Sequence, residues 1–118
     1  MAHAGMAEIY EERRDWDAAI TERRRAVESN PENSSLQYEL GHTLARALRF
    51  YEADEVLSSA MRANPLNARI PYTLGLVRLR LNNKAGALDA FRRFVAIAPS
   101  RFGTQITEAR QRIKELEQ

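Results

Sequence analysis

The sequence predicts an all-α protein made of three copies of a helical hairpin and a closing helix, and three observations predict it. The stretch SNPENSSLQYELG, Ser29 to Gly41, returns 34 residues later as ANPLNARIPYTLG, Ala63 to Gly75, with Asn, Pro, Asn, Tyr, Leu and Gly in the same places. A fainter third copy, IAPSRFGTQITEA, begins at Ile97, so prolines recur at positions 31, 65 and 99. Within each unit the apolar residues follow the three- and four-residue spacing of amphipathic helices. The repeat is therefore the structural unit, with bounds near 1–33, 34–67 and 68–101 and a capping helix over about 102–118.

The elements follow in order. In the first unit, Ala7 and Tyr10 mark one helix and Trp16, Ala19 and Ala26 a second, which Asn30-Pro31 ends. Proline lacks an amide proton and forces its predecessor out of the helical region. Ser34 or Ser35 is expected to cap the next helix, which carries Leu36, Leu40, Leu44 and Leu48 at helical spacing. Phe50, Ala53, Val56, Leu57, Ala60 and Met61 form the apolar face of its partner, and Asn64-Pro65 closes the unit. Pro71 falls in the first turn of the third unit's first helix, where a missing donor is harmless. Ala7, Gly41 and Gly75 occupy equivalent places in the first helices, as do Ala19, Ala53 and Ala87 in the second, and such matched small residues mark helix crossings. Leu40, Leu74, Leu57 and Phe91 are expected to fill the space around them. In the last segment Ile106, Ala109 and Ile113 share one face, with Arg110, Arg112, Lys114 and Glu115 elsewhere, the pattern of a cap that is apolar inward and polar outward.

With these residues laid out, the chain resembles the tetratricopeptide repeat family, whose signature runs aromatic, Leu-Gly, Tyr, Ala, Phe, Ala, Pro over this period. The second unit carries the resemblance through Leu40-Gly41, Ala53, Leu57, Ala60 and Pro65, and the third through Leu74-Gly75, Ala87, Phe91 and Pro99. In the first it rests on Tyr10, Trp16, Ala19, Ala26 and Pro31. The resemblance implies a right-handed superhelical array of three helix-turn-helix repeats. Two positions depart from the pattern. Arg23 stands where the other units have Leu57 and Phe91, and Arg78 stands where they have Tyr10 and Leu44. For both, the expectation is that the aliphatic stem packs while the guanidinium reaches water.

At 118 residues the chain is one domain's length. It has no cysteine, which excludes disulfides and thiolate metal sites. No apolar run approaches the length of a membrane span, and MAHAGMAEIY lacks the pattern of a signal peptide. The expectation is a soluble protein without membrane insertion, the cytoplasm being the first choice of location, although a signal or anchor can have been trimmed from a longer parent. A net charge of +2 conceals polarity along the chain: residues 1–34 hold 8 acidic and 5 basic side chains, residues 68–101 hold 1 acidic and 7 basic.

The material for catalysis is poor. The histidines are His3 and His42, neither with a second ligand or a nucleophile in view, so no catalytic or metal residues and no cofactor are expected. Glu8, Glu11, Glu12 and Asp15 are spread around a helix and read as a solvated acidic face. The Arg23–Arg25 triplet and the basic third unit raise nucleic acid as a partner. Glu22 and Glu28 flank the triplet, however, and a solvated surface is the simpler reading, so nucleic acid is the weaker candidate.

In the family, the first helices of successive repeats line a concave groove that binds peptides or folded partners. Carried over, that face holds Glu8, Glu11 and Glu12, then Tyr38, His42, Ala45 and Arg46, then Arg69, Tyr72, Leu76, Leu79 and Arg80. Tyr38, His42 and Ala45 form one stripe, as do Tyr72, Leu76 and Leu79, exposing more apolar surface than a solvated helix needs. The competing account is that these residues pack against neighbouring helices. Some relatives grip the carboxylate tail of heat-shock chaperones with lysine, asparagine and arginine. The matching positions are Ala4, Glu8, Glu39, Arg69 and Thr73; only Arg69 suits, so that ligand is not expected. The reading is a non-enzymatic module that binds a peptide or partner helix of acidic and apolar character. Arg46, Arg69 and Arg80 would meet its acidic groups, and the acidic first unit would orient any basic segment. The alternative is a self-assembling scaffold in which the uncapped first repeat packs on another copy, making a homo-oligomer.

Overall fold

The computed structural model describes residues 2–118, with side chains from Gly5 onward; the expectations placed on His3 and Ala4 lie outside the described side chains. Seven α-helices follow one another: α1 (Ala2–Glu12), α2 (Trp16–Ser29), α3 (Ser34–Arg46), α4 (Phe50–Ala63), α5 (Arg69–Arg80), α6 (Lys84–Ile97) and α7 (Gly103–Leu116). A 3-10 turn at Ser100–Phe102 leads into α7, and no strand occurs among the described residues. Each helix packs on the next, and α3 also meets α5. This skipping contact places first helices side by side along one face. The body measures 43 × 25 × 23 Å with a radius of gyration of 14.3 Å. A compact domain of this length would have about 13.5 Å, so the helical hairpins stack into a short rod.

The helix crossings are tight where the small residues fall. Ala7, Ala19, Ala53 and Ala87 have no solvent exposure. A Cβ placed on Gly41 would lie 2.5 Å from Leu57 Cγ, and one on Gly75 would lie 2.6 Å from Phe91 Cε1. Glycine is needed here for space, since each helix presses directly on its partner's large side chain. Around these crossings Ile20, Leu40, Leu44, Leu57, Ile70 and Leu74 form one core, while Phe91, Phe94, Ala87 and Ala109 form a second under α7.

The turn inside each hairpin is built three times in the same way. Arg14, Leu48 and Asn82, spaced 34 residues apart, take φ values of 58°, 65° and 58°. The amide after each donates to the carbonyl five residues back: Asp15 to Tyr10 at 2.8 Å, Arg49 to Leu44 at 2.9 Å, Asn83 to Arg78 at 2.8 Å. This left-handed closure satisfies the last carbonyls of the first helix. Asp15 and Asn83 then cap the second helix through their side chains, whereas Arg49 does not. Leu48 therefore does not continue the stripe of Leu36, Leu40 and Leu44. The chain leaves the helix after Arg46, and Leu48 is 65% exposed. The cap of α3 is Asn33, which accepts from the Leu36 amide at 3.1 Å, and not Ser34 or Ser35, which are already helical.

The two departures from the apolar pattern fold differently from expectation. Arg23 is 6% exposed and its guanidinium does not reach water. It donates to Glu11 at 2.6 Å and to Glu39 at 3.0 Å, tying α2 to both α1 and α3. Its Nε is buried without a partner. Arg78 likewise turns inward, donating to Asp54 at 3.2 Å, Ser58 at 3.0 Å and the Gly86 carbonyl at 3.2 Å, and so joins α4, α5 and α6. A guanidinium beside a matched carboxylate exchanges hydration for charge-assisted hydrogen bonds, which the aliphatic-stem argument left out.

Candidate functional site

The face shared by α3 and α5 opens into a cavity of about 490 Å³. From α3 it receives Tyr38, His42, Ala45 and Arg46; from α5 it receives Arg69, Tyr72, Thr73, Leu76, Val77 and Arg80. Both sets arise from helical spacing: residues three, four, seven or eight apart return to one face. Eight of the nine α3 and α5 residues expected on this face thus meet in one place, whereas Glu8, Glu11 and Glu12 of α1 do not line the cavity. Leu79 stands apart, in a smaller cavity with Lys84, Arg112 and Leu116, and packs with the second core.

The apolar floor continues through residues that the sequence reading did not assign to the groove. Phe50, the first residue of α4, Phe94 of α6, Phe102 of the 3-10 turn and Gln105 of α7 all line it. Tyr72 packs on Phe94 at 5.0 Å and edge-on to Phe91 at 6.2 Å, and Phe94 meets Phe102 at 6.2 Å. Phe50 and Phe94 sit on second helices, yet both line the cavity on the face made by first helices.

The polar groups are arranged unevenly. Tyr38 stacks on His42 at 5.6 Å, and Thr73 donates to the Tyr38 hydroxyl at 3.5 Å. The Tyr72 hydroxyl donates to Glu108 of α7, so the last helix holds the ring. Burial, then that hydrogen bond and the carboxylate's charge, push the Tyr72 pKa up to about 12. His42 is open to solvent at its edge, yet the surrounding walls exclude enough water to lower its pKa, and Arg46 adds to the effect. The shift favours the neutral imidazole, suited to hydrogen bonding and stacking.

Arg46 is held by the first unit. It donates to Glu11 at 3.2 Å and lies 5.1 Å over the Trp16 ring. Glu11 also accepts from Thr43 at 3.1 Å and from Arg23, and is 7% exposed. The reading of Glu8, Glu11, Glu12 and Asp15 as a solvated face holds for the other three and fails for Glu11, because opposing arginines from α2 and α3 converge on it. The triplet is likewise not fully solvated: besides the buried Arg23, Arg24 pairs with Glu52 at 2.9 Å and Arg25 with Glu22 at 3.1 Å. Arg80 lies 4.7 Å over Phe50, and Arg69 projects from the start of α5. Among the described residues, no group of three or more His, Asp or Glu side chains could hold a metal ion. None of these helices is long and apolar enough to cross a membrane.

A tetratricopeptide repeat family model matches residues 5–53 and 38–102, which together span most of the chain. No curated protein matches by sequence. Among solved structures, the chain is similar to the type III secretion chaperone SycD of Yersinia enterocolitica in complex with a peptide of the translocator YopD. The TM-score is 0.89 at 12% identity, over 98% of this chain and 90% of that one. PcrH of Pseudomonas aeruginosa, in complex with the chaperone binding region of PopD, gives 0.88 at 14% identity, over 98% and 89%. The TPR2B domain of yeast Sti1, in a complex with an Hsp70 peptide, gives 0.82 at 19% identity, over 99% and 98%. At such identities the likeness is one of fold.

Proposed function

The chain belongs to the tetratricopeptide repeat family, and from that premise we propose that it is a non-enzymatic interaction module whose groove takes a peptide or partner helix carrying apolar and acidic side chains. The observation that carries this reading is the composition of the groove wall. Tyr38, Tyr72, Leu76, Phe50, Phe94 and Phe102 supply apolar surface, Arg46, Arg69, Arg80 and His42 supply the polar rim, and among the described residues no Asp or Glu lines the cavity. Apolar anchors surrounded by one sign of charge select a ligand of the opposite sign. Solved complexes of this fold, SycD with a YopD peptide and PcrH with a region of PopD, support a peptide as the occupant. Affinity is expected on the order of micromolar, because a short peptide loses conformational freedom on binding.

A peptide-array screen followed by surface plasmon resonance tests the proposal. Selected peptides are expected to be acidic and apolar. Arg69→Glu should slow association, and Tyr72→Ala should mainly speed dissociation. Selection of basic peptides, or unchanged binding by both variants, overturns it. Self-assembly through the first repeat is a second reading, supported by Met6 and Ile9, which are large, apolar and exposed on α1. Sedimentation over a concentration range separates the two, since a peptide receptor alone stays monomeric.

A further inference from the structure

Three arginines line the groove, but their charges are not equally available. Arg46 is engaged by the buried Glu11 at 3.2 Å, a carboxylate of the protein itself in the place an acidic ligand would take. Arg69 and Arg80 have no carboxylate partner among the described residues; Arg80 rests on the face of Phe50, which leaves its N–H edges free. On the α7 side Glu108 is already engaged by the Tyr72 hydroxyl and lies 3.9 Å from Arg112.

Arg69 and Arg80 are the first and last residues of α5. Eleven residues make about three helical turns, so both return to the same face, about 16 Å apart along the axis. Tyr72 and Leu76 lie between them on that face, at three, four and four residues' spacing. The wall of the groove therefore reads cation, aromatic, aliphatic, cation. Along the axis these groups follow one another about every 4.5–6 Å, close to the roughly 6.6 Å between alternate side chains of an extended segment, which all point the same way.

We infer that the groove recognises an extended peptide in which two acidic residues bracket one large apolar residue, in the order acidic, any, apolar, any, acidic. This rests on the groove being the binding surface, as proposed above. The first and fifth residues of such a segment lie about 13 Å apart on one face. The remaining 3 Å or so is taken up by the two flexible arginine side chains. The third residue then faces Tyr72 and Leu76. Arg46 adds little to the recognition of acid, because Glu11 already engages it.

The test uses end-blocked seven-residue peptides, so that no terminal charge stands in for a side chain. One carries Glu-Ala-Leu-Ala-Glu at its centre, and a second of the same composition places both glutamates side by side. Binding to the full chain is measured by fluorescence anisotropy, with circular dichroism confirming that each variant is folded. The spaced peptide should bind about two- to fivefold more tightly than the adjacent one, as expected of solvent-exposed ion pairs. Arg69→Gln and Arg80→Gln should each remove that preference, while Arg46→Gln leaves it intact. Equal affinity for the two peptides, or a loss with Arg46→Gln as large as with the other two, overturns the inference while leaving the groove in place. If neither peptide binds, or if Tyr72→Ala binds both as well as the wild type does, the groove reading and the inference fall together.

Discussion

Replacing Gly41 by alanine adds one methyl group, and the structure makes its consequence depend on a single neighbour. The new Cβ would lie 2.5 Å from Leu57 Cγ, where carbon atoms normally stay about 3.5 Å apart or more. Rotation about χ2 leaves Cγ in place, and Leu57 has no solvent exposure for a χ1 change to turn into. Helices α3 and α4 must separate by about 1 Å. Alanine is intrinsically better than glycine inside a helix by about 1 kcal/mol. Overpacking a well-filled core costs about 1–3 kcal/mol. The balance is a net loss of up to about 2 kcal/mol. In a Leu57→Ala background, itself costing about 2–5 kcal/mol, the opposing atoms are gone and only the helix term remains. There, Gly41→Ala should stabilise by about 1 kcal/mol, so the change reverses sign and the coupling is about 1–3 kcal/mol. Gly41→Leu and Ala53→Leu overfill the same crossing and should each cost about 1–3 kcal/mol alone. Urea unfolding followed by far-ultraviolet circular dichroism and by the fluorescence of Trp16 measures all of these. If Gly41→Ala raises the midpoint equally in both backgrounds, the contact with Leu57 is not what glycine is there to permit.

Three further outcomes are expected. Leu48 holds a left-handed conformation with an exposed apolar side chain, where the third unit has Asn82; Leu48→Asn should therefore stabilise the fold by about 0.5–1 kcal/mol, and a lower melting temperature would contradict the account of the turn. Arg23→Ala should cost about 3 kcal/mol by taking the nearest cation from the buried Glu11 carboxylate, whereas Arg24→Ala, which breaks the exposed pair with Glu52, should cost about 0.5 kcal/mol. Equal denaturation midpoints for those two variants would remove the distinction drawn within the triplet. Tyr72 should ionise near 12 in the folded protein, against about 10 when unfolded. Because the folded value is the higher one, its stabilising effect is complete below pH 10 and is lost as the pH rises toward 12. Absorbance at 295 nm should show a late transition that Tyr72→Phe abolishes; a wild-type titration with no late phase would argue against the hydrogen bond to Glu108.

Much of the fold was determined by the sequence alone, because the relevant interactions are short in range and repeated. The 34-residue period, the prolines at 31, 65 and 99, and the small residues at equivalent places bear on helix ends and helix crossings. Those features depend on a few neighbouring residues, so three copies in register read out an all-α array of hairpins. The stripes Tyr38, His42 and Arg46, and Arg69, Tyr72, Leu76 and Arg80, were legible for the same reason: a helix brings residues at these spacings to one face. Leu79 was misplaced by that logic, since the width of a stripe is set by the next helix, and α7 covers that edge.

Tertiary structure alone decided where the charges go. In sequence Glu11, Arg23, Glu39, Thr43 and Arg46 are scattered over more than 30 residues, and nothing in their spacing joins them. Only stacking of α1, α2 and α3 brings them into one hydrogen-bonded cluster. The same is true of the aromatic floor. Phe50, Phe94 and Phe102 show the ordinary spacing of core residues, and only the packed array brings them to the groove. The physical reason is range: backbone hydrogen bonds and side-chain periodicity act within a few residues, whereas ion pairing and groove shape depend on helices whose relative placement is set by the packing of the whole array.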